Sequence, residues 1–339
     1  MKPKAYLASS LKTASLTLAA SLLLLADPAT AAVVTSNNLN KTAIPAMQTN
    51  KNMQSSSFAT TPYQTYRLQG TVASTQTGND VAGYNIMALS KGSVPAVTAD
   101  LIQYVGVRTL AQPFAPTVRG FNLFTGNESA TYYYNLGVGR YEAGLGAFSA
   151  WNYSWSATDL YLYGAKGVNG NVVPNASFED TSVNFWQNGG AFVSAPGVHG
   201  STVWEVTGVP TSYIALAVQP GVEYEFSFWS ASPDIGYGHR IQYGFNVPAN
   251  GWSATPADVT SIALYSGGGN RPWTEYTGTF TPGEGQTMWY LGGMVNGGRL
   301  QFDSIYLAQV VAIPEPGMAA LVLVGGGIFW LRRRARGKA

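Results

Sequence analysis

Residues 218–229, with the sequence VQPGVEYEFSFW, decide the fold class. A Pro-Gly turn comes first, and apolar and polar side chains then alternate. Successive side chains of a β-strand point to opposite faces of the sheet, so this period of two predicts a half-buried strand. The residues expected on the core side are Val222, Tyr224, Phe226 and Phe228, and those expected on the opposite side are Glu223, Glu225, Ser227 and Trp229.

The same alternation returns in residues 273–280 and 300–307, and turn residues separate these segments. Regularly spaced strands of this kind predict an antiparallel sandwich. Residues 66–166 are also strand-like, apart from a short helix expected at 97–105. The sequence therefore predicts an all-β protein in which one β-rich domain precedes another.

Three blocks of residues 167–309 resemble the jelly-roll carbohydrate-binding modules of the galactose-binding-like group. They are NASFE at 175–179, PGVEYEFSFW at 220–229, and the closing strand that contains Asp303. The resemblance implies a jelly-roll β-sandwich. It also implies a structural calcium ion held by Glu179 and Asp303, because calcium prefers oxygen ligands.

Aromatic side chains beside polar groups suggest where a sugar could bind. An aromatic ring stacks on the apolar face of a sugar, and neighbouring polar groups bond its hydroxyls. Trp229 is expected on the outer face of its strand, and the other candidate residues are expected in loops. For each candidate the alternative is that the side chain only packs against its neighbours. Trp273 and Trp289 are expected in the core. The candidate ligand-binding residues are Trp229, Tyr237, His239, Arg240 and Trp252.

The C-terminal stretch has the pattern of a membrane anchor. An apolar run at 318–331 follows Pro314, Glu315 and Pro316, and precedes Arg332, Arg333 and Arg334. A bilayer holds such a run by its apolar core, and the positive end stays in the cytoplasm. Residues 310–339 resemble the PEP-CTERM sorting signal, which implies a transient inner-membrane helix and cleavage by an exosortase-type membrane protease.

The N-terminus predicts export. Lysines precede an apolar stretch at 14–26, and small residues follow at 29–31, which is typical of a signal peptide covering residues 1–32. Residues 33–65 are rich in Ser, Thr, Asn and Gln, and have too few apolar side chains to repay chain ordering. They are expected to form a flexible leader.

Composition excludes several classes of protein. Charged residues make up 11% of the chain and its formal net charge is only +2, so it lacks the basic surface that nucleic acid requires. There is no cysteine and there are only two histidines, His199 and His239, which leaves little for zinc or nucleophilic catalysis. The sequence predicts no catalytic residues.

The resulting hypothesis is a non-catalytic cell-surface or matrix protein that binds glycan within extracellular polysaccharide. One alternative is a structural adhesin without a ligand. Another is a secreted glycan hydrolase, which needs only two carboxylates at the right separation. The acids that could supply such a pair are Asp80, Asp100, Glu128, Glu142 and Asp159.

Overall fold

The computed structural model describes residues 38–50, 53–74, 83–96, 100–107, 114–141, 154–208, 210–249, 256–264 and 270–311. Within these ranges the chain is all-β, with no α-helix and with 3-10 conformation at Asp100 and at Val168–Gly170. The strands are β1 (Leu39–Ala43), β2 (Met47–Asn50), β3 (Gln54–Thr60), β4 (Thr65–Ser74), β5 (Gly83–Lys91), β6 (Leu101–Val107), β7 (Phe114–Phe124), β8 (Ala130–Tyr141), β9 (Ser154–Ala165), β10 (Ala191–Ser194), β11 (Thr202–Val206), β12 (Ser212–Ala217), β13 (Tyr224–Gly244), β14 (Val259–Leu264), β15 (Arg271–Phe280) and β16 (Met288–Gln309).

Strands β1 to β9 form the first sandwich. One sheet has the order β1-β9-β4-β7, with β2 also pairing with β9, and the other has the order β3-β8-β5-β6. Apolar residues from both sheets meet in one cluster, such as Leu68 and Trp155 from one and Met87 and Tyr134 from the other. Burial between two sheets is the main stabilising term for such a fold.

Strands β10 to β16 form the second sandwich, whose two layers share their longest strands. Residues 224–232 of β13 pair with β15, whereas residues 239–244 pair with β14. The rings of Phe226 and Tyr243 have centroids 5.1 Å apart, although a straight strand would separate them by about 56 Å. Strand β13 therefore folds back on itself, and β16 bends beside it.

We name the two layers by their strands. The front layer contains β15, residues 224–232 of β13, residues 300–309 of β16, β11 and β10. The back layer contains β14, residues 239–244 of β13, residues 288–294 of β16, and β12. The core between them is aromatic, and Phe226 contacts Trp289 across the layers at 5.5 Å.

The predicted alternation at the start of β13 is confirmed. Tyr224, Phe226 and Phe228 are buried in the core between the layers. Trp229, on the opposite side of the strand, is half-buried and does not belong to that core. The period of two thus gave the correct inner face.

The predicted flexible leader is wrong for residues 39–43, 47–50 and 54–60. Strands β1 and β2 pair with β9, and β3 pairs with β8, so all three are part of the first sandwich. The expected helix at 97–105 is wrong for residues 101–105, because Leu101–Val107 is a strand that pairs with β5, and residues 97–99 lie outside the described residues. The other domain boundaries stay predictions.

Buried hydrogen bonds join the two sandwiches. The Asn38 side-chain amide donates to the carbonyl oxygens of Asn171 and Val173, at 2.7 and 2.9 Å. Asn122 Nδ2 donates to the Phe185 carbonyl oxygen at 2.8 Å. Because these bonds are buried, losing one partner would leave an unsatisfied polar group.

Candidate functional site

The five predicted ligand-binding residues do not form one cluster. Trp252 lies outside the described residues. Tyr237 lies in β13, and its side chain is outside the described part of the structure. His239 and Arg240 are also in β13, so the prediction that these three residues lie in a loop is wrong.

His239 is a structural residue at the bend of β13. Its side chain is 1% exposed, Nδ1 hydrogen-bonds with the Ser232 hydroxyl at 2.9 Å, and Nε2 donates to the Gly297 carbonyl oxygen at 2.8 Å. Gly297 has a φ of 85°, a left-handed conformation that glycine adopts without strain. Both ring nitrogens are therefore bonded inside the protein, so His239 holds the corner and offers no unpaired ring nitrogen to a polysaccharide, which corrects the prediction.

Arg240 lies on the outer face of the back layer. Ile241 and Tyr243 face the core, so Arg240 and Gln242 point to the opposite side of the sheet. In the register of the layer, Gln242 lies between Gly292 of β16 and Ser261 of β14. We call the outer surface of the back layer around Gln242 the back face.

Gln242 is the most unusual side chain of the back face. It is 0% exposed, yet neither its Nε2 nor its Oε1 atom has a hydrogen-bond partner. A buried polar group without a partner costs about 1–3 kcal/mol, and an amide has both donor and acceptor atoms to satisfy. Only a group that can both donate and accept a hydrogen bond would satisfy both atoms of this amide.

Two tyrosines flank this position. Tyr213 of β12 pairs in register with Gly292, and its ring meets that of Tyr290 edge to face at a centroid distance of 5.8 Å. Both rings are half-buried, and desolvation raises the pKa of each phenol. Glycine is required at 292, between Tyr213 and Gln242, because a Cβ there would lie only 2.8 Å from the Ser212 carbonyl oxygen and from the Tyr213 Cβ.

Trp229 lies on the opposite side of the molecule, on the outer face of the front layer. It pairs in register with Glu275 of β15 and Asp303 of β16. Trp273, expected in the core, is half-buried on this same outer face, and its Nε1 donates to the Pro196 carbonyl oxygen at 3.1 Å. Trp289 is in the core as predicted.

The predicted metal ligands Glu179 and Asp303 contact the same loop. Glu179 Oε1 accepts from the backbone N–H groups of Ser201 and Thr202, both at 3.1 Å. Asp303 Oδ2 accepts from the His199 N–H at 2.9 Å, whereas Oδ1 is buried without a partner.

Burial raises the pKa of the Asp303 carboxyl, and hydrogen bonds from the backbone of residues 198, 199 and 304 oppose that shift. The described residues contain no cluster of three or more acidic, His or Cys side chains that could hold a metal. The pair therefore fits a calcium ion only if backbone carbonyls or water complete its coordination.

The acids considered for hydrolysis are not brought together where they are described. Asp100 accepts from the Ala96 N–H at 3.0 Å, and Glu128 forms an exposed ion pair with Lys91. Asp159 lies in β9 with a φ of 49°. Asp80 and Glu142 lie outside the described residues.

The sorting-signal residues Pro314, Glu315, Pro316, Arg332, Arg333 and Arg334, and the signal peptide at 1–32, also lie outside the described residues. In the described part of the chain, no helix has the length and apolar character needed to span a bilayer.

Comparison with known proteins gives distant structural similarity only. No protein-family model and no curated protein matches the chain. The N-terminal CBM22-1–CBM22-2 tandem domain of Xyn10C from Paenibacillus barcinonensis aligns at 11% identity and a TM-score of 0.29, over 82% of this chain and 94% of that one.

Two single modules align with smaller parts of the chain. A family 16 carbohydrate-binding module matches at 14% identity and a TM-score of 0.28, over 38% of this chain and 99% of that one. A CBM4 structure matches at 15% identity and a TM-score of 0.27, over 40% and 99%. Similarity at this level assigns neither a family nor a ligand.

Sequence analysis missed Gln242 and Trp273. The alternation that placed Trp229 on an outer face also runs through β15, where Trp273, Glu275 and Thr277 share a parity opposite to Tyr276. That signal was available for Trp273. Nothing in the sequence marks Gln242, because its burial depends on strands that are distant along the chain.

Proposed function

We propose that the chain is a non-catalytic glycan-binding protein of the cell surface or extracellular matrix, with a carbohydrate-binding jelly roll formed by its second sandwich. The back face, around Gln242, is the proposed binding site. The observation that supports it is the buried amide of Gln242, which has no partner for either polar atom. A sugar hydroxyl both donates and accepts, and would satisfy such an amide once the residues that cover this 0% exposed side chain move aside.

The neighbours of Gln242 support the same chemistry. Tyr213 and Tyr290 offer half-buried rings for the apolar face of a sugar, and Arg240 offers charge-assisted hydrogen bonds to ring or hydroxyl oxygens. Gly292 and Ser261, the register partners of Gln242, are both small residues.

Affinity electrophoresis of the full chain tests this site. Gels containing hydroxyethyl cellulose, xylan or alginate should retard the wild-type protein in at least one case. Gln242→Ala should raise the dissociation constant about tenfold, equivalent to about 1.4 kcal/mol. Gln48→Ala, an exposed glutamine of β2, is the matched control and should change nothing.

Two other outcomes would favour one of the alternative functions. Shortening of the polysaccharide during incubation would favour the hydrolase, and would be followed by testing the acids named above. Absence of retardation in every gel, including one made from the polysaccharide of the producing cells, would contradict glycan binding and leave the adhesin.

We further propose that Glu179 and Asp303 hold a structural calcium ion, supported by the unpartnered Oδ1 atom of Asp303. Bound calcium would neutralise a buried carboxylate and fix the loop that both acids contact. Calcium at about 100 times its dissociation constant would stabilise the fold by about 2.7 kcal/mol. Added calcium should therefore raise the Tm of the wild type but not that of Asp303→Asn, with the exposed Asp258→Asn as control.

Export and sorting belong to the same proposal. The signal peptide would direct the chain across the inner membrane, the helix at 318–331 would hold it there transiently, and an exosortase-type protease would cleave near Pro314, Glu315 and Pro316. The sequence pattern of both ends supports this route. Mass spectrometry of the extracellular protein should find neither terminus; intact chain in the cytosol would contradict the route.

A further inference from the structure

The front layer carries two tryptophans that do not pack in the core. Trp229 and Trp273 are both half-buried on the outer face, whereas the core below them contains Phe228 and is packed by Tyr276. Trp229 pairs with Glu275, and Trp273 lies two residues from Glu275 in β15, where the pairing with β13 is irregular.

The surroundings hold this pair in place. The Nε1 atom of Trp273 is bonded to the Pro196 carbonyl, in the loop between β10 and β11. The same loop covers Asp303 through the His199 N–H. The loop thus contacts residues on both sides of β13, and the part of the face that it leaves uncovered is marked by Glu275, which is exposed.

The outer face of the front layer carries carboxylates, whereas the back face carries Arg240. Glu275 is exposed and makes no hydrogen bond or ion pair with another described residue, and Glu225 is half-buried two strand positions from Ser227 on the same side. Carboxylates accept hydrogen bonds from sugar hydroxyls but repel the carboxylates of a uronic acid. This surface is therefore complementary to an uncharged glycan.

We infer that Trp229, Trp273 and Glu275, here called the front face, form a second glycan-contact surface that takes uncharged sugar residues. The inference rests on the proposed function of the back face. The outer faces of the two layers point away from each other, so one molecule contacts two polysaccharide strands and cross-links them. Linked contacts of this kind raise the overall affinity by about 10²–10⁴ when both can engage.

Turbidity of the full chain mixed with hydroxyethyl cellulose tests the inference. The wild type should raise turbidity to a maximum near equivalence, and the signal should fall with excess protein because each site then holds a separate strand. The double variant Trp229→Ala/Trp273→Ala should still be retarded in the affinity gel but should lose at least nine-tenths of the turbidity. Gln242→Ala should behave in the same way.

Glu275→Gln gives a version of the test that does not disturb packing, because Glu275 is exposed. Removal of its charge should let alginate produce turbidity where the wild type does not, and Glu284→Gln, exposed in the β15–β16 turn, should not. Unchanged turbidity in the tryptophan double variant, or identical alginate results for Glu275→Gln and Glu284→Gln, would overturn the front face alone. Absence of retardation for the wild type would instead overturn the proposed function.

Discussion

The Gln242 side chain is proposed to bind glycan, but its unpaired amide lowers the stability of the unliganded fold. Its amide is buried without partners, so an apolar side chain of similar length should stabilise the unliganded fold. We expect Gln242→Met to raise the free energy of unfolding by about 1–3 kcal/mol and to weaken glycan retardation. Urea unfolding and affinity electrophoresis of one protein preparation measure both effects.

Gln301 supplies the matched control for that substitution. It is also buried, but its Nε2 donates to Glu205 Oε2 at 2.8 Å. Gln301→Met should lower the free energy of unfolding, because it leaves the Glu205 carboxylate without its amide partner. Equal effects of the two substitutions would show that the Gln242 amide is satisfied in the folded chain.

Tyr306 predicts a loss of stability in alkaline solution. Burial, together with the hydrogen bond that its hydroxyl donates to Glu225 Oε1, raises the pKa of Tyr306 to about 12. The unfolded chain loses this proton near pH 10, so the stabilising contribution is complete below pH 10 and is lost as the pH rises through 12. Tyr306→Phe should be less stable at pH 8, and the difference in urea midpoint from wild type should narrow by pH 11.

Residue-level prediction succeeded where local alternation decides the environment. It placed Phe226 and Phe228 in the core and Trp229 outside it. It failed for His239, because the bend that buries this ring depends on Gly297, 58 residues further along the chain. A partner at that separation has no local signal.

At the scale of elements, β13 and β16 show what the sequence pattern could not convey. The alternation predicts strands, but both strands are more than 20 residues long and each serves two layers. The register shifts between Ala231 and Asp234 and between Tyr237 and Arg240 mark the bend. Extra residues of this kind break the pairing locally and turn the strand.

Replacing His239 at the bend of β13 should destabilise the fold more than replacing its neighbour Ser232. His239→Leu removes the donor to the Gly297 carbonyl and the partner of Ser232, both in a buried setting. We expect the free energy of unfolding to fall by about 2–4 kcal/mol, whereas Ser232→Ala, which removes one hydroxyl, should cost less. Urea unfolding curves would contradict this role if the two variants were equally stable.

At the scale of the whole molecule, the segment predicted as a flexible leader completes the first sandwich. Strands β1 and β3 have few buried side chains, with only Leu39 and Thr60 in that class, so composition indicated a spacer. Their stability comes from backbone hydrogen bonds to β9 and β8. Such bonds are independent of side-chain type, which is why the sequence pattern did not reveal these strands.

Deletion of residues 33–61 separates the two interpretations. A flexible leader could be removed without effect, whereas loss of β1, β2 and β3 should expose the sheets of the first sandwich and remove the Asn38 bonds to Asn171 and Val173. We expect a lower urea midpoint and a smaller m-value, because the m-value scales with the surface exposed on unfolding. Deletion of residues 33–37 is the control. Unchanged midpoint and m-value after the longer deletion would show that these strands contribute nothing to the fold.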